Sequence, residues 1–130
     1  MALIRRKKKS TLDLKKLDPS EIKQLVLYVT IVNRGLAGNI AKIFENGGSS
    51  MQFIQRGRGT AQKEIMEILG IEDNDKDVIF SIVKQESLES IKPEILAFFA
   101  VNKFNKGIGF SIPMNSIIGI RAYRFLADTL

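Results

Sequence analysis

The sequence predicts a single α+β domain in which two helices cover a four-stranded antiparallel sheet. Segments with the periodicity of strands and of helices follow one another in the order β-α-β-β-α-β. The chain has 130 residues, which is enough for one hydrophobic core but too short for two domains. Its composition, 45% hydrophobic and 26% charged, is ordinary for a soluble globular protein.

The first half of the domain is predicted to form a strand, a helix and a second strand. Residues 25–32 are almost all apolar and rich in β-branched side chains, which is typical of a buried strand. Residues 36–45 place apolar side chains at helical spacing, and Gly47 and Gly48 follow where glycine commonly ends a helix. Residues 51–56 alternate and form the second strand.

The second half repeats the pattern in another order. Residues 78–83 are an apolar third strand, and a second helix is predicted from Ser87 to about Lys103. Residues 108–114 form the fourth strand, and 116–120 add a short fifth piece before a polar C-terminus. This order is the split βαβ, or ferredoxin-like, arrangement, which places both helices on one face of the sheet.

The central strands are apolar on both of their faces. In residues 25–32 and 78–83, apolar side chains point to the helix side and to the opposite side. An antiparallel sheet with one wet face would alternate apolar with polar residues. We therefore expect a homo-oligomer in which the open sheet faces meet at the centre. The alternative is that the terminal segments of the chain fold over that face.

Most of the positive charge lies before the folded domain, which is predicted to span 18–130 and to begin with a helical turn at 18–21. The net charge is +6, and residues 1–24 contain eight basic and three acidic side chains. A basic run from Arg5 to Lys9 lies within a tail, residues 1–17, that we expect to be flexible and solvated. It could also make weak contacts with an anionic membrane or nucleic acid. Without a membrane span or secretory signal, a cytoplasmic protein is expected.

The chain contains no cysteine and no histidine. Thiolate metal sites and disulfides are excluded, and so is nucleophilic catalysis that uses a Ser–His or Cys–His pair. The commonest general base and metal ligand are also missing. These absences favour a binding or signalling protein over an enzyme.

Two glycine-containing segments beside basic residues predict an anion site. The second strand runs into Gly57-Arg58-Gly59, and Asn105-Lys106-Gly107 precedes the fourth strand. Glycines beside cations can bring backbone N–H groups and positive charge to an anionic ligand. The simpler interpretations are a solvated turn at the first segment and, at the second, lysines that favour a helix C-terminus.

The long connection of residues 60–77, of which 61–69 could be helical, has a net charge of −4. Long loops in compact domains are usually functional or disordered, so this one is a candidate partner-contacting loop. Its carboxylates lack the glycine and terminal glutamate of a calcium-binding EF-hand. The residues predicted to contact a partner are Lys63, Glu64, Glu67, Glu72 and Asp73.

Residues 25–121 resemble the nitrogen-regulatory PII protein superfamily, in a divergent branch. The likeness includes a first strand ending at Gly35, a strand running into Gly57-Arg58-Gly59, and a long segment where the family has its T-loop. Asn105-Lys106-Gly107 then resembles the family's B-loop, and Phe110 to Arg121 resembles its fourth strand and the basic segment that follows.

The resemblance implies a homotrimer that binds ATP or ADP in clefts between subunits. It also implies that the T-loop reports the ligand state to a regulated protein, such as a transporter or metabolic enzyme. The residues predicted to face the ligand are Gly57, Arg58, Gly59, Thr60, Lys103, Lys106, Gly107 and Arg121. A phosphate or carboxylate is expected at Lys106, the Gly107 amide and Arg121.

The chain departs from the family pattern at Thr60, Ile108 and Gly119, where basic residues are usual. Lys103 and Lys106 could supply the charge that is missing at Ile108. Two other functions stay open: a ligand-free adaptor tethered by the basic tail, and, less favoured, a hydrolase that uses the loop carboxylates. Residues 60–77 also contain no tyrosine, so the uridylylation used by some family members has no acceptor there.

Overall fold

The computed structural model describes residues 22–60, 67–68 and 75–127. The tail, the turn at 18–21 and most of the segment 61–69 lie outside these residues. The elements, in chain order, are β1 (Leu25–Asn33), α1 (Ala37–Asn46), β2 (Met51–Arg58), β3 (Asp75–Lys84), α2 (Leu88–Ala100), β4 (Gly107–Pro113) and α3 (Ile120–Leu126). A 3-10 turn, Gln85–Ser87, leads into α2. The predicted order β-α-β-β-α-β is confirmed.

The four strands form one antiparallel sheet in the order β2-β3-β1-β4. The two inner strands, β1 and β3, carry the continuous apolar runs, because each is paired on both sides and faces apolar groups on both surfaces. This strand order and the two helices on one face confirm the ferredoxin-like prediction.

The face beneath α1 and α2 holds the main core. Tyr28 of β1 packs on Phe44 of α1 with ring centroids 5.3 Å apart, and Phe44 is fully buried. Burial raises the pKa of the Tyr28 hydroxyl above its usual value. The other buried members of this core are Val26, Val32, Leu36, Ala37, Ile40, Ile79, Val83, Leu88, Ile91 and Ile95.

Two hydrogen bonds inside this face hold the outer strand β2 in place. The buried Ser81 hydroxyl of β3 donates to Gln52 Oε1 at 2.8 Å, and Gln52 Nε2 donates to the Ala41 carbonyl of α1, also at 2.8 Å. Since both bonds use one amide side chain, β2 is tied to its neighbouring strand and to the helix above it.

The opposite face carries an apolar row that crosses all four strands. Phe53 pairs with Phe80, which pairs with Val29, which pairs with Phe110. Phe53 is 53% exposed and Phe110 is 45% exposed. A second row on the same face contains Met51, Ile82, Leu27 and Ile112. The prediction of two apolar faces is confirmed, and the oligomer inferred from it stays a prediction.

One end of this open face is covered by α3. Tyr123 and Leu126, three residues apart on the helix, are buried with Leu25 and Ala127, and Met51, Ile82 and Met114 pack against them. The predicted short fifth piece at 116–120 is therefore wrong, and the predicted polar C-terminus is wrong for residues 120–127. The alternative that a terminal segment covers this face holds for one end of it, and Phe53 and Phe110 remain exposed.

Two predicted boundaries beside the long connection were also wrong. The ladder between β2 and β3 continues through the pairs Gly57–Lys76 and Arg58–Asp75. The second strand therefore extends through the first two residues of the predicted hinge, and residues 75–77 of the predicted loop belong to β3. The connection is shortened to 59–74.

A candidate anion site at one end of the sheet

Both predicted half-sites lie at the same end of the sheet, on its two outer strands. Gly57 of β2 pairs with Lys76 of β3, Lys76 pairs with Asn33 of β1, and the preceding β1 residue, Val32, pairs with Gly107 of β4. With neighbouring strands about 4.8 Å apart, Gly57 and Gly107 of one chain are separated by roughly 14 Å. One chain therefore presents the two half-sites on opposite edges.

A buried lysine lies between the two edges. Lys76 is 5% exposed, and its Nζ donates to Asn33 Oδ1 at 2.8 Å. Asn33 Nδ2 in turn donates to the Phe104 carbonyl at 2.8 Å, which ties the α2–β4 connection to the end of β1. Burying an ammonium group is costly unless acceptors surround it, so this amide stabilises Lys76 in place.

Arg34, in the β1–α1 turn, contacts both strands that border the long connection. Its Nη2 donates to the Gly57 carbonyl at 3.2 Å, and its Nη1 lies 3.8 Å from Asp75 Oδ2. Its backbone N–H donates to the Asp75 carbonyl at 3.2 Å. A guanidinium group suits this geometry because it presents several N–H donors in one plane.

Asp77 supplies the cap that α1 lacks locally. The N-cap residue of α1, Leu36, has no side-chain acceptor, and Asp77 Oδ2 accepts from the Gly35 N–H at 2.9 Å and the Ala37 N–H at 3.4 Å. A carboxylate at a helix N-terminus stabilises the helix through these bonds and the helix dipole. This role of Asp77 was not predicted from the sequence, because the residue was assigned to the acidic connection.

The predicted residues of the β2 half-site lie where the strand leaves the sheet. Gly57 and Arg58 are still paired in the ladder, and Gly59 and Thr60 follow it. Arg58 and Thr60 are exposed, whereas both glycines are partly buried. This end of β2 therefore offers one exposed guanidinium group and one hydroxyl group to a ligand.

The β4 half-site has a structural requirement of its own. Lys103 and Lys106 are exposed on the connection that leads into β4. A Cβ on Gly107 would lie 2.3 Å from the Ile31 carbonyl oxygen, so the close pairing of β4 with β1 requires glycine here. The glycine is explained by packing, and the two lysines carry the positive charge.

Arg121 lies at the other end of the same strand. It is exposed in the first turn of α3, beyond Pro113, and β4 runs for seven residues from Gly107 to Pro113. At about 3.4 Å per residue, the strand separates Arg121 from Lys106 by roughly 20 Å. The structure does not bring these two residues together within one chain.

Of the predicted partner-contacting residues, Glu67 is described, and it is exposed in helical conformation beside Ile68. Lys63, Glu64, Glu72 and Asp73 lie outside the described residues. Among the residues that the structure describes, no group of three or more carboxylates is placed to hold a metal ion. No helix in the described ranges is long and apolar enough to cross a membrane.

Comparison with known proteins identifies the fold through structure. No family model matches the chain, and no curated protein matches its sequence. CutA1 from Oryza sativa superimposes with a TM-score of 0.63 and 11% identity, over 83% of this chain and 94% of that one. CPII from Thiomonas intermedia K12, bound to ADP, AMP and acetate, has a TM-score of 0.54 and 14% identity, over 72% and 91% of the two chains.

GlnK of B. subtilis in complex with ATP is a third similar structure. Its TM-score is 0.55 at 15% identity, over 75% of this chain and 88% of GlnK. The class defined by the sheet order and the two helices is the ferredoxin-like α+β fold. Within that class, the chain has the PII-like form that PII proteins and CutA1 share. The resemblance predicted from sequence is confirmed at the level of the fold.

Proposed function

We propose that the protein is a PII-like regulator of nitrogen or related metabolism, acting as a cytoplasmic homotrimer. A small anionic effector, with an adenine nucleotide as the first candidate, binds in the clefts between subunits. The connection 59–74 responds to the effector and contacts a regulated protein such as a transporter or metabolic enzyme. No bond chemistry is required of the protein.

The observation that carries this proposal is the open apolar face together with the half-sites at its two edges. Phe53 on β2 and Phe110 on β4 are about half exposed at opposite sides of a sheet that is apolar between them. Such a surface on a small domain favours contact with further copies of the chain. A ring of copies related by rotation places unlike edges together, so a β2 edge meets a neighbour's β4 edge.

This arrangement would complete the anion site. Gly57 and Gly107 lie at the same end of the sheet, so the two edges would meet with Arg58 close to a neighbour's Lys106. Two cations with backbone N–H groups suit phosphate or carboxylate groups. ADP, AMP and acetate in CPII and ATP in GlnK support nucleotides and small carboxylates as the first ligands to test.

The proposal also accounts for how binding of an effector would change the conformation of the connection. Gly59 and Thr60 belong to the edge of the site and to the start of the connection. A ligand that binds one arrangement of these residues better than another shifts the population of the whole segment.

Native mass spectrometry of protein purified without added ligand is the first test. A trimer, with or without a retained small molecule, is expected. Calorimetry with ATP, ADP, AMP, cyclic dinucleotides and 2-oxoglutarate then tests the effector class. A monomer at micromolar concentration, or no heat with any of these ligands, would contradict the proposal.

A further inference from the structure

The last residue of β1 and the turn that follows it contact three consecutive residues at the start of β3. Arg34 pairs with Asp75, Asn33 accepts from the side chain of Lys76, and the Gly35 N–H donates to Asp77. The Lys76 and Asp77 contacts are buried, whereas the Arg34 and Asp75 side chains are 39% and 47% exposed. The start of β3 is thus held at Lys76 and Asp77 by buried contacts. At Asp75 it is held by a backbone bond from the Arg34 N–H and by a solvent-accessible side-chain contact.

The same exposed arginine also contacts the other end of the connection. The Gly57 carbonyl, which accepts from Arg34 Nη2, belongs to the second-to-last residue of β2. Asp75 is the first residue of β3. One guanidinium group therefore joins the two ends between which residues 59–74 run.

We propose that Arg34 is a positioning residue that latches the two ends of this connection together and is released by anions. With the latch closed, the last pair of the ladder, Arg58–Asp75, keeps its register, and Gly59 leaves β2 in one direction. With the latch open, that end frays, because terminal pairs of a ladder are its least stable part. The buried Lys76 and Asp77 contacts stop the opening from spreading.

An anion is suited to open the latch because it competes for the same N–H donors. The Arg34–Asp75 pair is exposed and long at 3.8 Å, so it contributes little to stability. A phosphate or carboxylate group can bind a guanidinium group through two parallel bonds, which is better geometry than the present contacts. Any effect of this opening on partner binding rests on the proposed role of the connection 59–74. The latch itself does not depend on that role.

Hydrogen exchange of the ligand-free protein tests the latch directly. In Arg34→Gln, amides of 57–60 and 75 should exchange several-fold faster, up to about tenfold, since the hydrogen bond to the Gly57 carbonyl and the ion pair with Asp75 are lost. Amides of 25–32 should be unchanged. Exchange in Arg34→Lys should be faster than in the wild type and slower than in Arg34→Gln, because an ammonium group keeps the charge but not the planar arrangement of donors. Arg56→Gln is the matched control, since it removes an exposed arginine from β2, the strand that Arg34 contacts at Gly57.

Equal exchange in Arg34→Gln and Arg56→Gln would overturn the latch. Inorganic phosphate, added against sodium chloride at equal ionic strength, should speed exchange at 57–60 in the wild type and leave Arg34→Gln unaffected. No response in the wild type would overturn release by anions. These measurements need neither a nucleotide nor a partner. A monomeric protein whose Arg34→Gln variant still opens would therefore contradict the proposed function and leave the latch standing.

Discussion

The two faces of the sheet contain similar residues in different surroundings. On the covered face, Tyr28, Ile79 and Val83 are each at most 8% exposed under α1 and α2. On the open face, Phe53, Phe110 and Ile112 remain between 45% and 53% exposed. The covered face stabilises the chain by itself, whereas the open face can gain the same kind of stabilisation only from something outside it. The comparison separates residues that matter for folding from residues that matter for assembly.

The largest effect is expected on the covered face. Phe44→Ala should lower the free energy of unfolding by about 3–5 kcal/mol, because it leaves a cavity beneath Tyr28. Denaturant unfolding at one fixed protein concentration measures this. Leu96→Ala is the control, because Leu96 is 66% exposed on α2 and its loss should change stability by less than about 0.5 kcal/mol. A small effect of Phe44→Ala would show that this face is not the main core.

A charge on the open face should break assembly and spare the fold. Phe110→Asp would place a carboxylate in an apolar interface, at a cost of several kcal/mol. Native mass spectrometry should show monomers, and circular dichroism should show unchanged secondary structure. Leu96→Asp, on the outer surface of α2, should stay trimeric. If Phe110→Asp stays trimeric too, the open face is not where copies meet.

An intermediate loss of stability is expected at Gly107 of the β4 half-site but not at Gly57 of the β2 half-site. Gly107→Ala forces a Cβ against the Ile31 carbonyl oxygen and should cost about 1–3 kcal/mol of stability. Gly57→Ala places its Cβ 3.7 Å from Val78 Cγ2, which is an ordinary contact, so stability should change by less than about 0.5 kcal/mol. Thermal unfolding of both variants compares them directly. Equal costs would show that Gly107 is not fixed by packing.

The smallest expected effect is a loss of stability at high pH. Burial raises the pKa of Tyr28 in the folded protein, so the folded state keeps its proton while the unfolded chain ionises near its usual pKa of about 10. Stability should therefore be constant below about pH 9 and fall as the pH rises past about 10. The melting temperature of the wild type should fall more between pH 9 and 11 than that of Tyr28→Phe. If the melting temperatures of the two proteins fall equally, ionisation of Tyr28 does not contribute to the pH dependence of stability.

The element order could be predicted from the sequence because the inner strands and both core helices have strong apolar periodicity. The end of β2 could not, since Gly57 and Gly59 indicate a turn, whereas pairing with β3 keeps Gly57 extended. Helix α3 was missed because it is only seven residues long, so its apolar side chains cover too few turns to show a helical period.

The candidate site was predicted in part. The glycines and basic residues at the two edges were named from the sequence, because such residues are recognisable locally, and their binding of a ligand stays a prediction. Asn33, Arg34 and Lys76 were missed as site residues, since their side-chain contacts join residues between 23 and 71 positions apart in the chain. Sequence periodicity gives the face of a residue but not its partner across the sheet.

The amide of Gln52 has a consequence for how this protein can change over time. Because Gln52 holds β2 from the inside, the exposed side chains Phe53, Ile54, Gln55 and Arg56 do not have to set the position of their own strand. Substitutions there can alter what the edge recognises without altering the backbone that presents it. Related chains could therefore diverge in partner or subunit specificity along β2 while Gln52 and Ser81 stay the same.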